Sequence, residues 1–288
     1  MVTLKDFDSD FENKWCPGCG NFGILSAMKD ALVSLGISPH QLLIVSGIGQ
    51  AAKTPHFLKC NIFHGLHGRS LPVATGAKMA NHDLTILVNV GDGDCYGEGG
   101  NHFIHAIRRN VDITLLVHNN MVYGLTKGQA SPTSGMGMVT KMQQYGVIAE
   151  PFNPLPVALS LDAGFVARGF SGNMKHLSRL IQEGIKYPGF SLIDILQPCI
   201  SFNRVNTFSW FKKRVYDLFE TDHDSEDFEK AMTLSREWEG KIPIGILYKK
   251  EKPTFTDRIR NLEKGPLISR SYNPERLRSL LSDQQNRP

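Results

Sequence analysis

Two short segments carry the oxygens best suited to a hard cation: Gly91-Asp92-Gly93-Asp94 and, after 24 intervening residues, Asn119-Asn120 followed by Met121-Val122-Tyr123-Gly124. A diphosphate held through a magnesium ion needs hard oxygen ligands in near-octahedral geometry: one or two side chains, with a backbone carbonyl, water and the phosphates completing the shell. Asp92 and Asn120 suit that role. The glycines let the backbone approach phosphates, and a helix starting near Gly99 would turn its N-terminus toward the anion. Either segment alone also reads as an ordinary tight turn. Their pairing at two adjacent strand ends is what points to a cation.

A second chemical signature is Trp15-Cys16-Pro17-Gly18-Cys19-Gly20. A CxxC can be a redox pair, half of a zinc site, or two ligands of a [4Fe–4S] cluster. A redox pair would follow a strand, and none is read before it; a zinc ribbon would want a second CxxC, which the sequence lacks. The motif alone does not choose among the three. Five cysteines, with an opening segment that has no apolar stretch of a secretory signal, favour metal or redox chemistry over a disulfide framework.

These residues must be positioned by the elements around them. Asn21 to Gly36 has helical apolar spacing and ends in a glycine suited to a helix terminus. QLLIVSGIG, LTILVNVGDGD, DITLLVHNN, GFVARG and FSLIDILQPC read as strands, with NHFIHAIRRN and MKHLSRLIQEGIK as helices between them. Strands alternating with helices predict an α/β fold, a parallel sheet flanked by helices. Such sheets bind ligands outside the carboxyl ends of their strands. The turns SGIGQ, GDGD, HNN and QPC are therefore expected to gather on one edge. From Thr207 the character changes, through a helical acidic stretch around His223–Arg236 to a polar tail with a short helix at Pro274–Leu281. Residues 207–288 read as an extension packed on a partner, and 1–206 as the binding domain.

The chain has 288 residues, 41% hydrophobic and 21% charged, which supplies a sizeable core. Its longest apolar runs fall well short of the roughly 18 residues a membrane span needs. The net charge of +4 is spread along the chain, and the basic groups at Lys212, Lys213 and Arg214 and from Lys249 to Lys252 read as solvated faces. Neither nucleic acid nor membrane is expected as a partner, and the protein reads as soluble and cytoplasmic.

WCPGCGNFGIL, SGIG followed by Lys53 and Pro55-His56-Phe57, HGR at 67–69, GDGD, GNHF, RRN, VYGLTKGQASPTS, FVARG and LQPC together resemble the beta subunit of 2-oxoacid:ferredoxin oxidoreductases. The likeness covers roughly residues 14 to 250, and GDG with its distant NN matches the thiamine diphosphate (TPP) motif. The resemblance implies the TPP-binding fold, with this chain carrying the pyrophosphate-binding domain. An alpha subunit would bring the pyrimidine-binding half, so the active site would lie between subunits. It implies Mg²⁺ held by Asp92, Asn120 and the carbonyl of Val122. It further implies cofactor contacts from Gly47, Ile48, Gly49, His67, Gly68, Arg69, Gly91, Gly93, Asp94, Gly124 and Leu125, and places Lys53, Leu125 and Lys127 near the 2-oxoacid. The implied reaction is oxidative decarboxylation of a 2-oxoacid, with the acyl group passing to coenzyme A and electrons leaving through a [4Fe–4S] cluster to ferredoxin.

One position departs from the family pattern. The cysteine that follows SGIG in many relatives is Gln50 here, leaving Cys16, Cys19 and Cys199 as inherited ligands. Cys60 is the expected replacement, ahead of Cys95, a non-cysteine ligand or loss of the cluster. Within the family 2-oxoglutarate is the favoured substrate, with pyruvate or a broad range of 2-oxoacids next. Two alternatives remain outside that activity: a cluster-less, non-oxidative TPP enzyme half, and a binding module that kept the fold.

Overall fold

The computed structural model describes residues 1–271 and 273–285. Its centre is an eight-stranded sheet built from β1 (Leu42–Ser46), β2 (Asn61–His64), β3 (Thr85–Gly91), β4 (Ile113–Asn119), β7 (Phe165–Phe170), β8 (Phe190–Leu196), β9 (Val215–Asp217) and β10 (Ile242–Lys249). The spatial order is β2-β1-β3-β4-β8-β7-β10-β9. All pairs are parallel except β10 with β7. The remaining strands, β5 (Val122–Tyr123) and β6 (Gln129–Ala130), form a small separate hairpin beyond β4.

Helices cover both faces, as a parallel sheet requires. On one face lie α1 (Gly20–Ser34) and α5 (Met174–Lys186); on the other lie α2 (Ser70–Ala80), α3 (Gly100–Arg109), α4 (Pro154–Ser160) and α7 (Phe228–Ser235). Strand residues divide between the two cores with period two. Ile86, Val88 and Val90 of β3 join Phe103 and Leu155, whereas Leu87 joins Ile24, Met28 and Ile181. A one-residue slip would exchange the two sets and strand apolar side chains against the wrong helices. Every residue of β4 and β8 is buried, so the site at their ends stands on the most enclosed part of the sheet.

Beyond residue 207 the structure corrects the sequence expectation. The segment is part of the sheet rather than an extension beyond it: after α6 (Phe208–Lys212), β9 and β10 complete the far edge. The strand was overlooked because IPIGILYK follows a short charged turn and lacks the Gly/Asp ending of the earlier strands. The tail then runs to α8 (Pro274–Gln285), which extends past the expected Leu281. Among the described residues, no helix is long and apolar enough to cross a membrane.

Candidate active site

The carboxyl ends of β1, β3, β4 and β8 meet at one edge, as the turn sequences predict, and three corners of chemistry are built there. The first centres on Asp92, 1% exposed at the end of β3. Ser131 Oγ donates to its Oδ2, and Thr133 Oγ1 does so at 2.7 Å. Burial pushes the carboxyl up to about 6, with these two hydroxyls pulling the other way. Both fall on Oδ2, so Oδ1 stands outside this network.

The two asparagines have different roles. Asn119 is spent internally: its Nδ2 donates to both oxygens of Asp194 and its Oδ1 faces the Thr133 hydroxyl at 2.8 Å. Asn120 keeps more capacity, with Oδ1 accepting only the Val122 amide at 3.0 Å. Between them and Val122, Met121 takes a left-handed φ of 60°, and Ser134 Oγ caps its carbonyl at 2.6 Å. For a non-glycine residue that conformation marks a constrained turn held by its surroundings. Ser131, Thr133 and Ser134 were not singled out from the sequence. Their signal was three hydroxyls flanking Pro132 in the ASPTS run.

The second corner joins the SGIG and HGR turns through Asp94. Its Oδ1 accepts the amides of Ile48 at 3.1 Å and Gly68 at 2.8 Å. His67 Nδ1 lies 2.8 Å from the same oxygen, without hydrogen-bond alignment. Asp94 Oδ2 is buried and unpartnered. Burial raises this carboxyl, and the two amides and His67 lower it. Asp94 thus orders the two loops. Gly47 is required beside it, since a Cβ there would stand 2.1 Å from Asp94 Oδ2. By contrast, nothing lies within 4 Å of where a Cβ on Gly49 or Gly91 would project. The backbone therefore borders open space on this side, as a diphosphate cradle demands. The turn after Asp92 is a π-turn (Gly93–Glu98) interposed ahead of α3, a form common at functional sites. Arg69 is exposed, and its field adds to the burial that lowers the pKa of His102 on α3.

Beside these loops is a cavity of about 460 Å³, lined on its polar side by Glu12, Lys14, Lys53, His56 and His64 and on its apolar side by Phe11, Ile48, Phe57 and Leu125. Lys53 and Leu125 are therefore brought together. Lys127 is exposed in the β5–β6 loop with φ 83°, two residues beyond Leu125. His118 is fully buried between Asn21 and Asn89, and burial drives it down to about 3, so it is a packed neutral ring.

The third corner holds cysteines. Gln197, at the end of β8, donates to Cys19 Sγ at 3.4 Å, and Ser201 donates to Cys16 Sγ at 3.3 Å. Burial pushes Cys19 up to about 11, and the fields of Cys199 and Cys16 add to it. These three thiols therefore share one neighbourhood. Cys60 does not join them. It precedes Asn61, which pairs with Leu43 at the amino edge of the sheet, whereas Gln197 and Cys199 lie past its carboxyl edge. Its thiol donates to the Asn61 carbonyl, packs on the α1/α5 core, and is driven up to about 12 by burial. Cys95 is buried in the opposite core. Gln50 itself accepts the Trp15 indole N–H on its carbonyl at 2.8 Å, which steadies the residue before Cys16.

Comparison with known proteins agrees with this geometry. The family model for the thiamine pyrophosphate enzyme C-terminal TPP-binding domain matches residues 40–195, and that for the C terminal of the pyruvate ferredoxin oxidoreductase beta subunit matches 199–264. A 2-oxoacid:ferredoxin oxidoreductase subunit beta from Sulfolobus sp. is 46% identical over 261 residues, covering 86% of each chain. The chain belongs to the 2-oxoacid:ferredoxin oxidoreductase beta-subunit family. A 2-oxoglutarate synthase subunit KorB from Methanocaldococcus jannaschii is 35% identical over 249 residues, covering 86% of this chain and 92% of the relative. The solved 2-oxoglutarate:ferredoxin oxidoreductase from Magnetococcus marinus, with 2-oxoglutarate, coenzyme A and succinyl-CoA bound, superimposes with a TM-score of 0.90 at 37% identity, covering 100% of this chain and 97% of that one. As an oxidoreductase beta subunit, the chain works in a complex with an alpha subunit, and its fold is the TPP-binding α/β fold.

The residues fit the expected groups to different degrees. Asp92 and Asn120, with open backbone at Gly49 and Gly91, suit a cation-bound diphosphate. Among the described residues, no three His, Cys, Asp or Glu side chains stand close enough to grip a single ion. A cluster's thiolates bind different irons and stand further apart.

Proposed function

We propose that this beta subunit binds TPP through Mg²⁺ and, with its alpha subunit, catalyses coenzyme A-dependent oxidative decarboxylation of a 2-oxoacid, passing electrons through an iron–sulfur cluster to ferredoxin. The observation that carries this reading is the shared sheet edge: Asn119 and Gln197 are joined there by a backbone hydrogen bond of 3.0 Å, one leading to Asn120 and the other to Cys199. Cation ligands and thiols thus stand on adjacent strand ends.

Asp92, Asn120 and the Val122 carbonyl would hold Mg²⁺, and the SGIG, HGR and GDGD turns would take the pyrophosphate. When bound, TPP supplies a nucleophilic carbon and an electron sink for the oxo carbon. The chain's own groups bind and orient. Lys53 offers a cation for the substrate carboxylate, Leu125 shapes the apolar wall, and Lys127 lies on the adjoining loop. The cysteine neighbourhood would contribute Cys16, Cys19 and Cys199 to a [4Fe–4S] cluster, without Cys60.

The cavity supports 2-oxoglutarate over pyruvate. Lys14 is paired with Glu12, which leaves Lys53 as the lining cation for one carboxylate, and the His56 and His64 rings add polar contacts for a second. The alpha subunit would close the site. Met142, Tyr145 and Ile148, exposed on the loop that continues from the ASPTS run, suit burial by a partner. Five free cysteines accord with a reducing, cytoplasmic setting.

The test is anaerobic co-purification with the alpha subunit, followed by coenzyme A-dependent viologen reduction across a panel of 2-oxoacids. The expected result is turnover with 2-oxoglutarate exceeding that with pyruvate. Decarboxylation without dye reduction would favour a non-oxidative enzyme half.

A further inference from the structure

Asp194 lies on β8 with 2% of its surface exposed, behind the metal corner and outside the residues assigned to it. An ionised carboxylate accepts hydrogen bonds and donates none. It receives the Tyr96 hydroxyl at 2.8 Å and the Asn119 amide nitrogen at 3.2 Å to each oxygen. That fixes which end of the Asn119 amide points which way: the NH₂ group must face Asp194, so the carbonyl oxygen faces Thr133 at 2.8 Å. The Thr133 oxygen is then held 2.7 Å from Asp92 Oδ2.

The charge of Asp194 is answered from the neighbouring strand. Arg168 of β7 is its register partner and is itself 2% exposed. The Arg168 guanidinium donates to the carbonyls of Ser235 at 3.1 Å and Glu237 at 3.5 Å and stands 5.8 Å from the Trp238 ring. Those three residues belong to the segment, residues 199–264, that matches the family's C-terminal model. Burial raises the Asp194 pKa, and the arginine's field opposes that rise. Arg168 is thus hydrogen-bonded to the C-terminal segment and acts on Asp194 through its field, while hydrogen bonds lead from Asp194 through Asn119 and Thr133 to Asp92.

We propose that Asp194 is a positioning residue for the metal corner: it orients the Asn119 amide so that its carbonyl oxygen faces the Thr133 hydroxyl and fixes that side chain against Asp92 Oδ2, with Arg168 of the neighbouring strand as its countercharge. The inference rests on the reading of Asp92 as a metal ligand. Outer residues of this kind fix ligand geometry without touching the ion. Asparagine at 194 would offer NH₂ or oxygen equally to Asn119, and the orientation would no longer be dictated.

The experiment is Mn²⁺ binding, followed by electron paramagnetic resonance, on the alpha–beta complex with TPP. Wild type is compared with Asp92→Ala, Thr133→Val, Asp194→Asn and the Thr133→Val/Asp194→Asn pair. Loss of an outer-shell partner costs about 10- to 100-fold in affinity. Asp194→Asn and Thr133→Val should each weaken Mn²⁺ by at least about tenfold, and the pair should be no weaker than the worse single variant, because both break one relay. A merely structural Asp194 would give multiplying losses, and that outcome, or an Asp194→Asn affinity within about twofold of wild type, overturns the proposal. If Asp194→Asn does not fold, Asn119→Ala interrupts the same relay, and wild-type affinity in that variant would also overturn it. Unchanged binding in Asp92→Ala would instead refute the metal reading itself.

Discussion

Thr133 reaches Asp92 from 41 residues along the chain, its hydroxyl lying 2.7 Å from Oδ2. The same oxygen stands 2.8 Å from Asn119 Oδ1, so two acceptors compete for one hydrogen. When Asp92 is ionised, it is the stronger acceptor and takes that hydrogen. The state of this carboxyl therefore governs the corner.

Metal binding should depend on pH through Asp92. With its carboxyl raised to about 6 by burial, the folded chain holds a proton that the unfolded chain, near 3.8, has released. Ionisation thus lowers the stability of the metal-free fold as pH rises from about 4 to 6, and a cation reverses that loss. Mn²⁺ affinity of the complex should fall about tenfold per unit below pH 6, as one proton competes. A flat affinity between pH 5 and 7 would contradict this.

Acid stability should carry the opposite sign from His118. Its folded pKa of about 3 lies below the ordinary 6.5, so its contribution is full above pH 6.5 and is lost as pH falls toward 3. The slope from this one ring is roughly 1.4 kcal/mol per pH unit. Urea titrations from pH 7 to 4 should show a shallower acid limb in His118→Asn than in wild type. Parallel limbs would show that the ring accepts a proton in place.

Gly47→Ala should disrupt the pyrophosphate corner. The added methyl would meet Asp94 Oδ2 at 2.1 Å and push apart the SGIG and HGR turns. Overpacking of this kind costs about 1–3 kcal/mol. Lower TPP retention and a lower melting temperature are expected together. Gly91→Ala has room within the chain and should lose TPP while keeping its melting temperature.

Iron content should follow the cysteine neighbourhood. Cys16→Ser, Cys19→Ser and Cys199→Ser should each lower iron and sulfide in the anaerobic complex, while Cys60→Ser should leave them unchanged. Gln50→Cys, placed next to the Trp15 contact, should raise iron retention in air. Iron lost in Cys60→Ser would restore Cys60 as a ligand.

Much of this site could be read from sequence because it rests on local punctuation. A strand ending in GDGD or HNN announces its own turn, and the parallel order brings those turns to one edge. The placing of Asp92 and Asn120 together at that edge was legible for that reason. The distinction between Asn119 and Asn120 was not, because it depends on Asp194, a residue that in sequence is one polar interruption in FSLIDIL. Cys60 misled because nearness along the chain to Gln50 suggested nearness in space. The 3-10 turn Ala51–Phe57 and the start of β2 carry it to the opposite edge of the sheet. The strands β9 and β10 were hidden by a segment whose charge suggested surface.

The central claim is that Asp92 anchors TPP through a divalent cation in a working alpha–beta oxidoreductase. It is tested most directly by the TPP content of the anaerobically purified complex, measured per alpha–beta pair for wild type and Asp92→Ala with Mg²⁺ present. The account predicts cofactor retained by wild type and lost from Asp92→Ala, with the two subunits still associated. Equal TPP in both would contradict it.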